Sequence, residues 1–147
     1  MAAYKSKTLA TWVALLVGSL GLHRFYLYGF KDRLGWFYCI PTFLGLHGIQ
    51  RVQDYGLDDH LSWALIPLLG LMVAQAMLAA ILYGLTPDER WDARHNPGQP
   101  VHATRWAPVL GVITALLIGA GVLMATIAFS GQRYFEYQVE EAKKISQ

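Results

Sequence analysis

The sequence predicts an all-α, polytopic integral membrane protein with four transmembrane helices arranged as two helical hairpins, and three observations carry that prediction. Of 147 residues, 54% are hydrophobic and only 15% charged, against about 25% charged in ordinary soluble domains. The apolar residues gather into long blocks instead of recurring at helix or strand spacing, so the natural solvent for much of the chain is lipid. The lysines and arginines fall between those blocks, where they read as topology signals. The same balance excludes intrinsic disorder, and a formal net charge of +2 is too small to draw nucleic acid. Cys39 stands alone, so no internal disulfide is possible.

The first block, Thr8 to Leu22, is short for a crossing. It reads as a span over 8–28 because Phe25, Tyr26 and Tyr28 can finish it in the interface while Arg24 snorkels to the headgroups. The second, 34–51, contains Pro41, Gly45, His47 and Gly48; it reads as a full crossing, with a re-entrant segment as the competitor. The third and fourth, 62–85 and 106–130, are each long enough at about 1.5 Å per residue to cross a hydrocarbon core of about 30 Å. Between them the polar loop 86–105, with Pro87, Pro97, Gly98 and Pro100, reads as surface. Its start predicts a short helix capped by Thr86, with Asp88 and Glu89 at the positive end of the dipole and Trp91 anchoring it at the interface. In the tail, Glu140 precedes Lys144 by one helical turn, the spacing of an ion pair.

These boundaries divide the chain into a first hairpin (1–60), a second hairpin (61–131) and a polar tail (132–147). A cleavable signal peptide is disfavoured because the Ala-x-Ala pattern is missing and the apolar run continues into aromatics. Four crossings put both termini on one side. Lys5, Lys7, Arg51, Arg133, Lys143 and Lys144 then oppose Arg24, Lys31, Arg33, Arg90, Arg94 and Arg105, a tie that leaves orientation open.

No catalytic constellation is visible: there is no Gly-rich phosphate loop, no nucleophile in register with a base, and no carboxylate pair within the spans. The expectation is a non-enzyme without cofactor or metal, since His23, His47, His60, His95 and His102 lack ligand spacing. Ion-coupled transport is disfavoured because Gln75, Thr114 and Thr126 are the main polar side chains of the two long spans. Gly111, Ala115 and Gly119 recur every four residues, as do Ala10, Ala14 and Gly18, and such small-residue faces let helices pack closely. Pairing of these two helices within the chain is favoured over association with a second molecule.

The densest motif runs from Gly18 to Gly29: Gly18, Gly21, His23, Arg24, Phe25, Tyr26, Leu27, Tyr28 and Gly29, followed by Asp32 and Arg33. Physically it fits an anchored turn at a membrane surface. With the flanking Lys5 and Lys7, and Gly35, Gly48, Ile49 and Asp54 beyond, it resembles the signature of the TM2 domain family over the first third of the chain. Asp32 and Arg33 resemble the Asp-Arg-Phe turn of animal relatives, with Leu34 in place of the phenylalanine. The resemblance implies a membrane-embedded helical hairpin with no enzymatic activity. It is closest in kind to bacterial members with extra helices, which implies the bacterial cytoplasmic (inner) membrane.

The function expected is therefore a small membrane scaffold or interaction subunit. Its expected partners are membrane lipids and other transmembrane helices, from itself or another membrane protein, and not nucleic acid. Two other classes compete. One is an oligomeric pore or carrier lined by His47, Gln75 and the threonines; the other is an anionic-lipid binder gripping headgroups through His23, Arg24, Lys31 and Arg33.

Overall fold

The computed structural model describes residues 3–146. Its elements are α1 (Lys7–Val17), a 3₁₀ turn (Gly18–Leu20), α2 (Leu22–Tyr28), α3 (Arg33–Tyr55), α4 (His60–Leu85), α5 (Asp88–His95) and α6 (Ala107–Ile145). Polar side chains mark the helix starts: Ser6 caps α1, Asp32 accepts from the Leu34 and Gly35 amides to cap α3, and Asp59 accepts from Ser62 to cap α4.

Helix α4 is the centre of the bundle, with α3, α6 and α1 packed around it. The crossings are close because small residues sit at them. Gly45 and Gly48 of α3 lie against Leu69 and Leu65, and Gly119 of α6 lies against Met77. Ala14, Ala76, Ala80 and Ala115 are fully buried between the helices. Where lipid removes the hydrophobic drive for association, this approach of backbones supplies the contact energy. The outer surface is apolar instead: Phe43, Leu117, Met124 and Ile127 are each at least 60% exposed, as lipid-facing residues would be. By length and composition two helices, α4 and α6, are able to cross a membrane. Helix α3 runs beside α4 but is less apolar, carrying Trp36, Tyr38, His47 and Gln50.

The first segment departs from expectation. Helix α1 has 11 residues, about 16 Å, or half the thickness of a hydrocarbon core. At Gly21 the backbone enters the left-handed region with φ 74°, and α2 then runs back toward the start of α1. Lys5 Nζ donates to the Leu27 carbonyl, and the Ser6 amide donates to Tyr26 Oη at 2.8 Å. Residues 8–28 therefore enter and leave at the same end of the bundle, and the four serial crossings expected from the sequence are not formed. The doubled-back element is the first segment, not 34–51.

Two features make this turn possible. Gly21 packs directly on Gly35, so that a Cβ there would fall 3.1 Å from Gly35 Cα. The turn's carbonyls, which no helix satisfies, accept from α3: Thr42 Oγ1 donates to Ser19 O at 2.6 Å and Cys39 Sγ to Leu20 O at 3.3 Å. Irregular backbone is tolerated at membrane depth only when protein groups satisfy it in this way.

One end of the bundle thus holds the amino terminus, the 29–32 turn and the 86–106 connection. The other holds the 56–59 turn and the end of α6. With 39 residues, α6 is about 58 Å long and continues through the tail as one helix. Its last third meets the start of α4, where Arg133 lies 5.3 Å from the Trp63 ring centroid and Glu140 lies 3.7 Å from His60. The expected Glu140–Lys144 pair is displaced, because Lys144 pairs with Glu141 at 3.1 Å.

Candidate functional site at the amino-terminal end

The amino-terminal segment is threaded through the connection between α4 and α6. Lys7, with 7% of its side chain exposed, ion-pairs with Asp88 and donates to the Thr86 carbonyl at 2.9 Å. That carbonyl belongs to the negative end of the α4 dipole, where a cation is favoured. Asp88 also accepts from the Thr104 amide and hydroxyl, at 2.8 and 2.6 Å. Burial raises the Asp88 carboxyl, but the hydrogen bonds from Lys7 and Thr104 outweigh it and hold the group below the ordinary carboxylate value. Next to it, the Lys5 amide donates to Asn96 Oδ1 at 2.8 Å. The Lys5 carbonyl accepts from Trp91 Nε1 at 2.8 Å and Asn96 Nδ2 at 3.1 Å.

Several local expectations for this connection are corrected. Thr86 does not cap α5; its hydroxyl turns back to the Leu82 carbonyl at 2.6 Å, and Pro87 occupies the cap position. Trp91 is not an interfacial anchor but is buried at 2% exposure under the Lys5 backbone. Asp92 accepts from Asn96 and from the His102 amide.

The turn motif is largely structural. Gly18 packs against Ala76. His23 is 1% exposed between the rings of Tyr38 and Tyr83, at 5.5 and 5.8 Å. Arg24 forks onto Asp32 at 2.6 and 3.4 Å while its guanidinium stacks over Tyr28, and this hydrogen-bonded partner holds Asp32 below the ordinary carboxylate value. Phe25 fills the space over Gly35 between Phe30 and Trp36. Tyr26 holds the Ser6 amide, and Gly29 ends α2 with φ 82°. Only Lys31 and Arg33 of the motif's cations point outward without a partner. The headgroup grip expected from His23, Arg24, Lys31 and Arg33 is therefore not assembled: one member is core and another is neutralised.

The small-residue face of α6 is used within the chain. A methyl at Gly111 would lie 2.9 Å from Thr11 and 3.7 Å from the Trp12 ring, Ala115 is fully buried, and Gly119 faces Met77. Gly111→Leu should therefore destabilise the monomer by about 1–3 kcal/mol through overpacking, read as a lowered melting temperature in detergent; an unchanged melting temperature would refute that packing. The residues expected to line a pore do not converge on one path. His47 is exposed on α3, Gln75 donates to Tyr38 Oη at 3.4 Å, and the Thr114 and Thr126 hydroxyls bond back to Leu110 and Val122 of their own helix.

The doubling back of the first segment also redistributes charge. Lys5, Lys7, Arg24, Lys31, Arg33, Arg90, Arg94 and Arg105 lie at this end with Asp32, Asp88, Glu89 and Asp92, a net charge of +4. Arg51, Arg133, Lys143 and Lys144 lie at the other with six acidic residues, a net charge of −2. Among the described residues Lys5, held by the Leu27 carbonyl, and Lys31, Arg33, Arg90, Arg94 and Arg105, which have no partner, make no ion pair, whereas at the far end Lys143 is the one cation without one. Burial and the nearby Lys5 and Arg94 hold His95 below the ordinary imidazole value. Sequence reasoning missed Arg90 and Arg94; their spacing of one helical turn in the predicted short helix was the available signal.

The family model of the TM2 domain matches residues 3–55, from the threaded amino-terminal segment through the end of α3. No curated protein and no solved structure matches the chain. The match, taken with two helices long and apolar enough to cross a bilayer, makes this all-helical chain a membrane protein.

Proposed function

Starting from a chain whose residues 3–55 are a TM2 domain, we propose that it is a small, non-enzymatic membrane scaffold. Its cationic end would form a rigid interaction platform on the cytoplasmic face of a bacterial inner membrane. The observation that carries this reading is the uneven distribution of charge. Once Lys5 and Lys7 join the loops at 29–32 and 86–106, the tie in basic residues becomes eight against four. An excess of lysine and arginine in short segments beside the spans marks the cytoplasmic side. In this reading α3, α4 and α6 cross the bilayer and the α1–α2 hairpin enters it halfway.

The carboxylates at the platform support a structural role over a chemical one. Asp32, Asp88 and Asp92 are each held in hydrogen bonds to neighbouring segments, and Glu89 lies exposed on the surface of α5. Lipids contact the exposed apolar sides of the bundle, and Gly121, with open space beside it, leaves one side of α6 for a partner helix.

The test is labelling of single cysteines at Ala3, Lys31, Gln99, Asp58 and Ser146 in a Cys39→Ala background with a membrane-impermeant maleimide. Ala3, Lys31 and Gln99 should label only after permeabilisation, and Asp58 and Ser146 in intact cells. Reaction of Ala3 together with Asp58 would restore four serial crossings and refute the re-entrant reading. A fully inverted pattern would place the platform outside.

A further inference from the structure

The five unpaired cations at the amino-terminal end are not evenly spread. Arg90 and Arg94 lie one turn apart on α5, both exposed, at the mouth of a cleft of about 560 Å³ between α5 and the ends of α2 and α4. The cleft's walls are aromatic: Tyr83 contacts Trp91 at 5.7 Å, Trp91 contacts His95 at 4.5 Å, and His95 contacts Tyr28 at 6.1 Å. Thr86, the residue that ends α4, also lines it, so the cleft opens at the end of an apolar helix long enough to cross a membrane. On the far side of Tyr28, Arg24 is already committed to Asp32 and adds no free donor.

Two guanidinium groups a turn apart present parallel N–H donors suited to a phosphate, and no carboxylate among the described residues takes them up. The aromatic walls below suit the less polar part of an amphiphile. The volume falls in the range that encloses a small ligand. We infer that this cleft binds the phosphate of an anionic phosphate ester, clamped between Arg90 and Arg94 and seated on the aromatic wall of Tyr28 and His95. An anionic phospholipid headgroup and a soluble phosphate ester share this chemistry. The inference rests on the proposed placement of this end at a membrane surface. The cysteine labelling above tests that placement separately, so that failure of one does not imply failure of the other.

The experiment is native mass spectrometry of the purified full chain in detergent, titrated with phosphatidylglycerol or phosphatidylcholine. Phosphatidylglycerol should bind in preference. Arg90→Gln/Arg94→Gln should weaken it about thirtyfold, about fivefold for each charge removed. Lys31→Gln/Arg33→Gln removes the same charge outside the cleft and, donating nothing to the clamped phosphate, should weaken binding clearly less than the first pair. Ala93→Phe, which fills the cleft without altering charge, should abolish preferential binding while the melting temperature is retained. Equal losses in the two double variants, or undiminished binding in Ala93→Phe, would overturn the site in favour of a diffuse surface field. Equal binding of the two lipids would overturn it as well, unless inorganic phosphate or glycerol phosphate protects the native protein, and not Arg90→Gln/Arg94→Gln, from thermal unfolding. That protection would assign the cleft to a soluble phosphate ester, and displacement of bound phosphatidylglycerol only by another anionic lipid would assign it to a headgroup.

Discussion

Replacing Lys7 by methionine should lower unfolding stability by about 2–4 kcal/mol, because it leaves the Asp88 carboxylate partly buried without its cation and the Thr86 carbonyl without its donor. The value lies toward the lower part of the range for broken buried pairs, since Thr104 still donates twice to Asp88. Reversible unfolding in mixed micelles with increasing dodecyl sulfate would measure it. The pair also predicts a pH dependence. Asp88 is held below its ordinary value in the folded chain, so its contribution is complete above the unfolded carboxylate value of about 4 and is lost as pH falls through the folded one. The native protein should weaken as the medium is acidified below about pH 4, and Lys7→Met should show a shallower decline. Lys7→Met/Asp88→Leu should recover part of the loss, as happens when a buried pair is replaced by apolar groups. A Lys7→Met protein as stable as the native one would mean that the ion pair does not tie the amino terminus to the α4–α5 junction.

Gly21→Ala is expected to be nearly as damaging, at about 2–4 kcal/mol. Part is the left-handed backbone, about 1–2 kcal/mol for a residue with a Cβ. The rest is steric, because the new methyl would press on the Gly35 backbone. Gly98 separates the two terms: it shares a positive φ, 82°, but has nothing near its Cβ position. Gly98→Ala should therefore show the backbone term alone. Melting temperatures of the two variants in detergent provide the comparison. Equal losses would mean that the contact between the 3₁₀ turn and α3 contributes nothing to the hairpin.

The long apolar blocks were legible as α4 and the first part of α6 because length and uniform hydropathy are local properties. The capping of α4 by Asp59 and its pairing with Arg51 depend on the fold. The direction of the first segment was not legible. Its shortness and the glycines at 18 and 21 were in plain view, but aromatic residues after them read equally well as an interfacial exit. What decides the matter is pairing across the chain: Lys5 with Leu27, and Lys7 with a carboxylate 81 residues away. No periodicity encodes such partners. The same limit explains Trp91 and His23, which composition places at an interface and which tertiary contacts bury. Arg90 and Arg94 lie on the predicted short helix, but the cleft they border is formed by α2 and α4, which their own segment does not encode.

The threaded amino terminus also bears on the order in which the protein can be made. The TM2 segment is synthesised before the groups that hold it, Thr86, Asp88, Trp91 and Asn96, which follow it by about 80 to 90 residues. At a translation rate of about 5–20 residues per second, several seconds separate the emergence of Lys7 from that of Asp88. Through that interval α1 and α2 have neither α4 to pack on nor α5 to be fastened by, and their exposed polar turn can be satisfied only near the bilayer surface. A segment translated well before α5 is thus among the last to be locked in place, and a ribosome-bound intermediate ending before residue 86 should leave Lys5 and Lys7 open to modification until the connection to α6 is complete.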